Sequence, residues 1–209
     1  MKPAIDYSIY LVTDESCLKG RQLLPCVEEA LAGGVTLVQY RAKNADGGRM
    51  YKEALQLKVL CDEYHVPLII NDRLDIAQAI GAAGVHLGQD DLPCAVARQI
   101  LGADYIIGVS AHNREEALQA AADGADYLGC GAVFGTATKQ DVAKLGLSNL
   151  QAIRKAVTLP MVGIGGINLS NYAEVLAIGA DGAAIVSGIL AQENITQTVR
   201  ELVKIRNCD

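Results

Sequence analysis

The sequence predicts an α/β protein built as one (β/α)8 barrel, a TIM barrel. Three observations carry that prediction. Short apolar, β-rich runs alternate with longer amphipathic segments along the whole chain. Eight such runs fit into 209 residues, which suits a barrel near the small end of the fold. A small-residue stop recurs between a helical segment and the next run, as one supersecondary unit used repeatedly would require. A doubly wound open sheet is the rival, but it needs fewer strands and usually a glycine-rich first turn. Here the first run leads into Thr13-Asp14-Glu15-Ser16, and Gly129-Cys130-Gly131 lacks a third glycine. No interdomain linker is visible, so residues 1–209 are read as one domain.

The strands are expected at 9–12, 36–40, 67–70, 85–87, 105–109, 127–130, 161–164 and 183–186. Each is a short continuous apolar run, as expected of strands buried on both faces. Helical segments are expected at 23–32, 48–64, 114–123 and 169–178, among others. The stops at 32–34, 81–84, 102–104, 124–126 and 179–182 carry the glycine that takes a left-handed C-cap. The stretches 42–51 and 134–147 read as the longest βα loops, and so as candidate lids.

Composition narrows the function. Hydrophobic residues make up 51% and charged residues 20%, enough to build a core and too apolar for a disordered chain. Lys plus Arg is 18 against 24 for Asp plus Glu, a formal charge of -6. That argues against a nucleic-acid partner, which demands a basic face, but not against a phosphorylated small molecule. No apolar run reaches the ~18 residues of a membrane span, and the N-terminus lacks a signal pattern. A soluble cytoplasmic protein without a membrane partner is expected, and a homo-oligomer is compatible with the sequence. Six cysteines, at 17, 26, 61, 94, 130 and 208, show no CxxC spacing and accompany only 3 histidines. Zinc and disulfides are therefore not expected, and Cys130 is read as a small residue of the barrel interior.

Polar and charged residues collect at the ends of the runs, where barrels place their chemistry. Arg41 and Lys43 lie two residues apart and, with Lys139, could hold a diphosphate; equally they could be solvated loop cations. Asp72 and Asp91 close consecutive units and could share Mg²⁺, while helix caps are the plainer role for Asp72, Asp90 and Asp91. Gly165-Gly166 and Ser187-Gly188 are expected to open onto helices and offer backbone N–H groups to phosphate, or to be simple tight turns. His86 reads as an interior histidine, His112 is ambiguous, and no nucleophile–base arrangement stands out.

Taken in order, these strand ends resemble the thiamine phosphate synthase family over nearly the whole chain. The motifs are Gln39-x-Arg41-x-Lys43, Asn71-Asp72-Arg73, His86-Leu87-Gly88-Gln89-x-Asp91-Leu92-Pro93 and Gly108-Val109-Ser110-x-His112. Thr136-x-Thr138-Lys139 and Gly163-Ile164-Gly165-Gly166-Ile167 complete the set. The resemblance implies a Mg²⁺-dependent barrel that joins hydroxymethylpyrimidine diphosphate to hydroxyethylthiazole phosphate and releases diphosphate. It implies that Gln39, Tyr40, Arg41, Ala42, Lys43, Asn71, Ser110 and Lys139 bind the pyrimidine diphosphate. Of these, Arg41, Lys43, Ser110 and Lys139 would be catalytic. Asp72 and Asp91 would bind Mg²⁺, and Thr136, Ala137, Thr138, Gly166, Val186 and Ser187 the thiazole phosphate. Three residues depart from the family's usual pattern: Tyr40 for an aliphatic residue, and Ala132 and Ala137 for proline. Two other readings stay open, a thiazole tautomerase-like isomerase and a non-catalytic barrel that binds a phospholigand.

Overall fold

The structure, a computed structural model, describes residues 2, 4–135 and 145–208. Eight parallel strands run β1 (Ile9–Val12), β2 (Leu37–Tyr40), β3 (Leu68–Asn71), β4 (Gly84–Leu87), β5 (Ile106–Ala111), β6 (Tyr127–Gly131), β7 (Met161–Ile164) and β8 (Gly182–Ile185). Each strand is hydrogen-bonded to the next, and β8 returns to β1 through Ile9 opposite Ala183. The sheet is closed, which removes the open-sheet alternative.

Helices cover the outside: α1 (Leu23–Gly33), α2 (Gly47–Glu63), α3 (Leu74–Ile80), α4 (Cys94–Leu101), α5 (Arg114–Ala122), α6 (Gly146–Ala156), α7 (Tyr172–Ala177), α8 (Ser187–Leu190) and α9 (Ile195–Arg206). No helix among the described residues is long and apolar enough to cross a membrane. The stops behave as expected at Gly34 and Gly81, whose φ values of 111° and 64° put them in the left-handed region. Gly102 departs from the rest: φ is 75° but ψ is -169°, so it leaves the helix extended.

Two boundaries moved. The expected loop 42–51 is already helical from Gly47, because the Asp46 side chain accepts from Arg49 N at 2.9 Å and starts α2 early. Conversely, α7 begins at Tyr172 rather than near 169. Asn168 Oδ1 accepts from Ser170 N and Asn171 Oδ1 from Asn168 N, both at 2.9 Å, so side chains there capture the backbone in a turn. The expected loop 134–147 ends at Gly146, where α6 starts, and its residues 136–144 lie outside the described residues.

Every strand is buried on both faces, with alternate side chains pointing in and out. Ile9, Leu11, Val38, Ile70 and Val85 join the layer between barrel and helices. Tyr10, Val12, Leu37, Ile69, Ile106, Tyr127 and Val162 fill the barrel itself. Cys130 belongs to the outer layer, not to the interior as expected, because Gly129 and Gly131 on either side of it take the inward positions. Cys17, Cys26, Cys61, Cys94 and Cys130 are buried thiols and Cys208 is exposed; all six are free.

The last helix closes the ring by packing on the first. At Gly33 a Cβ would lie 2.7 Å from Val199 Cβ and 2.9 Å from Thr196 O of α9. Alanine is a better helix former than glycine by up to ~1 kcal/mol, but overpacking against backbone costs about 1–3 kcal/mol. Gly33→Ala should therefore lower the melting temperature. A raised melting temperature would show that α9 can retreat without loss.

Candidate active site

A cavity, open at its mouth, occupies the end of the barrel where the strands finish. Its walls come from all eight strand ends, so closure of the sheet brings distant residues onto one rim. Gln39, Arg41, Lys43, Asn71, Asp72, Asp91, Ser110, Gly166, Val186 and Ser187 of the expected set all line it. Tyr40 and Ala42 do not. Both point outward into the helix layer, and the Tyr40 hydroxyl donates to Glu53 Oε2 on α2 at 2.6 Å. The period of two along a strand forces this: with Gln39 and Arg41 inward, the side chains between and after them face away. Any contact from Tyr40 or Ala42 is limited to backbone. Thr136, Ala137, Thr138 and Lys139 lie outside the described residues.

Asp72 follows β3 and Asp91 follows β4, and the two carboxyl groups face each other within hydrogen-bonding reach. Neither is a helix cap. The N-cap positions are Arg73 for α3 and Pro93 for α4, without side-chain cap bonds. Asp72 has φ 61°, a left-handed conformation that aspartate tolerates better than most residues, and its N–H donates to His86 O at 2.9 Å. Asp91 Oδ2 accepts from Gly88 N at 2.7 Å, which pins its carboxylate. Burial, and then the facing Asp91 carboxylate, push the Asp72 pKa up to about 6; Lys43 and Arg41 pull against that shift. Two carboxylates held together in this way fit a divalent cation. Mg²⁺ is such a cation: it takes one or two carboxylates and completes its shell with water and substrate phosphate.

The cations differ in how they are held. Arg41 Nη1 donates to Asp14 Oδ2 at 2.5 Å, with both side chains largely buried. Thr13 Oγ1 accepts from Arg41 N at 2.9 Å, so backbone and guanidinium are both fixed. Lys43 is exposed on the rim. Asp14 was missed by sequence reasoning. Its position just past the first apolar run was the available signal.

Below the rim lie buried polar groups. Ser110 Oγ is 3.0 Å from His86 Nε2, and Gln39 Nε2 donates to the Tyr10 hydroxyl at 2.7 Å. His86 is thus an interior residue, as expected. His112 lines the mouth, where its Nδ1 lies 2.9 Å from Glu116 Oε2 of α5.

On the opposite wall, Gly165-Gly166 follows β7 but does not open directly onto a helix, contrary to expectation; the Asn168–Asn171 turn intervenes. Ser187 does begin α8. Gly166 and Ser187 also border a second hollow lined by Gly135, Gly188 and Lys19. Gly166 has φ 69°, and a Cβ there would sit 2.6 Å from Gly135 O, so the two loops approach as closely as glycine allows.

The carboxylate pair makes a stability prediction. The folded pKa of Asp72, about 6, lies above its ordinary 3.8, so ionisation costs stability as pH rises from about 4 to 6, and the cost persists above. Without divalent cations at pH 8, Asp72→Asn should melt about 2–4 °C above wild type, the scale of ~1 kcal/mol in a chain this size. The difference should shrink towards pH 4. Thermal melts in EDTA at both pH values test this, and an unchanged melting temperature at pH 8 would contradict it.

Comparison with known proteins gives the family. The family model for thiamine monophosphate synthase matches residues 9–189. A thiamine-phosphate synthase of Chloroflexus aurantiacus is 50% identical over 199 residues, covering 95% of this chain and 92% of that protein. One from Clostridium acetobutylicum is 50% identical over 201 residues, covering 96% and 95%. Among solved structures, thiamine phosphate pyrophosphorylase from Pyrococcus furiosus superposes with a TM-score of 0.90 at 40% identity, covering 97% of this chain and 96% of that one. The chain belongs to the thiamine monophosphate synthase family.

Proposed function

We propose that this barrel is a transferase that joins 4-amino-2-methyl-5-hydroxymethylpyrimidine diphosphate to 4-methyl-5-(2-hydroxyethyl)thiazole phosphate, or its carboxylated form. The products are thiamine phosphate and diphosphate. The observation that carries this reading is the pair of facing carboxylates, Asp72 and Asp91, on one rim with Arg41 and Lys43. A site for two anionic substrates needs such a balance of charges. Residues of the opposite wall, Gly166 and Ser187, would take the thiazole phosphate.

Asp72 and Asp91 would hold Mg²⁺, which would supply neutralisation of the charge that grows on the departing diphosphate. Arg41 and Lys43 would contribute to the same end, Arg41 with its orientation fixed by Asp14. Gln39, Asn71 and Ser110 would hold the pyrimidine so that its CH₂–O bond points at these charges. The C–O bond breaks with both electrons going to the diphosphate oxygen, leaving a pyrimidinylmethyl cation that the ring amino group stabilises. The thiazole nitrogen then forms the new C–N bond. A neutral nitrogen nucleophile needs no general base, and none is asked of His86, engaged with Tyr127 and Ser110, or of His112, engaged with Glu116. Lys139 would add a further charge against the diphosphate, and Thr136 and Thr138 on the same segment would meet the thiazole.

The test is to incubate the protein with both substrates and Mg²⁺ and to measure thiamine phosphate and diphosphate together. Equal yields of both are expected, with turnover abolished by EDTA and restored by Mg²⁺. Asp91→Ala should cost at least ~10²-fold, the scale of one lost preorganised electrostatic contact. A carboxythiazole isomerised without condensation would favour the tautomerase reading, and binding without turnover the non-catalytic one.

Lys139→Ala should lower kcat more than it raises KM, because the growing charge exists only in the transition state. It should also divert cation to free hydroxymethylpyrimidine if the segment shields the site from water. A changed KM alone would reduce Lys139 to a binding residue.

A further inference from the structure

A chain of five polar groups crosses the barrel at the floor of the cavity, and four of them, Tyr10, Gln39, His86 and Ser110, line it. Gln39 Nε2 donates to the Tyr10 hydroxyl at 2.7 Å, and the Tyr10 and Tyr127 hydroxyls are 2.8 Å apart. The Tyr127 hydroxyl is 3.0 Å from His86 Nδ1, and His86 Nε2 is 3.0 Å from Ser110 Oγ. The residues come from β1, β2, β4, β5 and β6, so only a closed barrel assembles them. The neighbouring strands make room for the two rings. A Cβ on Gly108 would lie 2.1 Å from Tyr127 Cζ, and one on Gly129 would lie 2.9 Å from His86 Cε1. Burial holds the phenols of Tyr10 and Tyr127 above their ordinary pKa, so each keeps its proton and remains an O–H donor.

Counting donors sets the direction of the chain. An amide nitrogen only donates, so the Tyr10 oxygen accepts from Gln39. Its own proton then goes to the Tyr127 oxygen, since a buried hydroxyl hydrogen left without an acceptor is costly. The Tyr127 proton goes in turn to His86 Nδ1. His86 must therefore carry its proton on Nε2 and donate it to Ser110 Oγ, which leaves the Ser110 hydrogen for the cavity. At the other end, Gln39 keeps its Oε1 as the acceptor it can present. We propose that Tyr10, Tyr127 and His86 are positioning residues that fix the hydrogen-bond polarity of this wall: Gln39 presents a carbonyl acceptor and Ser110 an O–H donor to the pyrimidine diphosphate. This rests on the proposed contact of Gln39 and Ser110 with that substrate. It goes further by saying which partner atoms they accept and reject.

The direct test is long-range ¹H–¹⁵N NMR of the ¹⁵N-histidine-labelled wild-type protein without substrate. The His86 signal is assigned by its loss in His86→Gln. The neutral Nε2–H tautomer is expected. The Nδ1–H tautomer would mean that the chain runs the other way and would overturn the proposal, as would an imidazolium at neutral pH. The second test is Tyr127→Phe, which removes the central hydroxyl and keeps the ring. It should raise KM for the pyrimidine diphosphate by ~10-fold or more and leave KM for the thiazole phosphate within ~2-fold, a split that general loosening of the fold would not produce. Equal shifts in both, or none, overturn the positioning role. If the Tyr127→Phe variant does not fold, the tautomer still decides the matter. A wild-type protein that shows the Nε2–H tautomer but no turnover would sink the functional assignment and leave the polarity of the wall standing.

Discussion

Closing eight parallel strands into a ring forces Asp72 and Asp91 towards each other, and much of the rim answers to that constraint. Both follow adjacent strands, and both are pinned through backbone, Asp72 by His86 O and Asp91 by Gly88 N. The Asp91 carboxylate cannot swing out to solvent to relieve the repulsion without breaking its bond from Gly88 N–H. The cost appears as the raised pKa of Asp72. Lys43 and Arg41 offset part of it, and Arg41 is itself shared with Asp14. The two carboxylates thus stand in unrelieved repulsion, the mismatch that the proposed Mg²⁺ would offset. A net charge of -6 does not prevent anion binding, because the field at the rim is set by these few fixed groups.

The barrel interior solves a different problem. Large polar rings, Tyr10, Tyr127 and His86, sit where many barrels carry branched aliphatic residues. Glycines at 108 and 129 supply the space, and each ring finds a hydrogen-bond partner, so no described buried side-chain polar atom is left unsatisfied. Such a network specifies side-chain orientation more sharply than apolar packing would. The rigidity needed at the rim begins in this layer.

The sequence showed the repeat and the strands well, since continuous apolar runs are hard to mistake when both faces are buried. The runs at 9–12 and 161–164 coincide with β1 and β7, residue for residue. Helix starts were less legible where a side chain decided them, as Asp46 did for α2 and Asn168 for α7. The rim residues were readable because the strand ends carry their charges in order. Cys130 lies outside the barrel interior, and the Tyr40 side chain off the cavity, for one reason: alternate residues of a strand face opposite ways. The Tyr10–Tyr127 pair, 117 residues apart, leaves no local signal, and neither does the Asp14–Arg41 pair. Those links exist only once the ring has closed.

On the proposed reading, the carboxylate pair and the rim cations form one site for a divalent cation and a diphosphate together. Calorimetric titration of inorganic diphosphate into the protein, with and without Mg²⁺, tests it most directly. Mg²⁺ should tighten diphosphate binding, diphosphate should tighten Mg²⁺ binding by the same factor, and Asp91→Ala should remove the coupling. Diphosphate binding equally well with and without Mg²⁺ would contradict it.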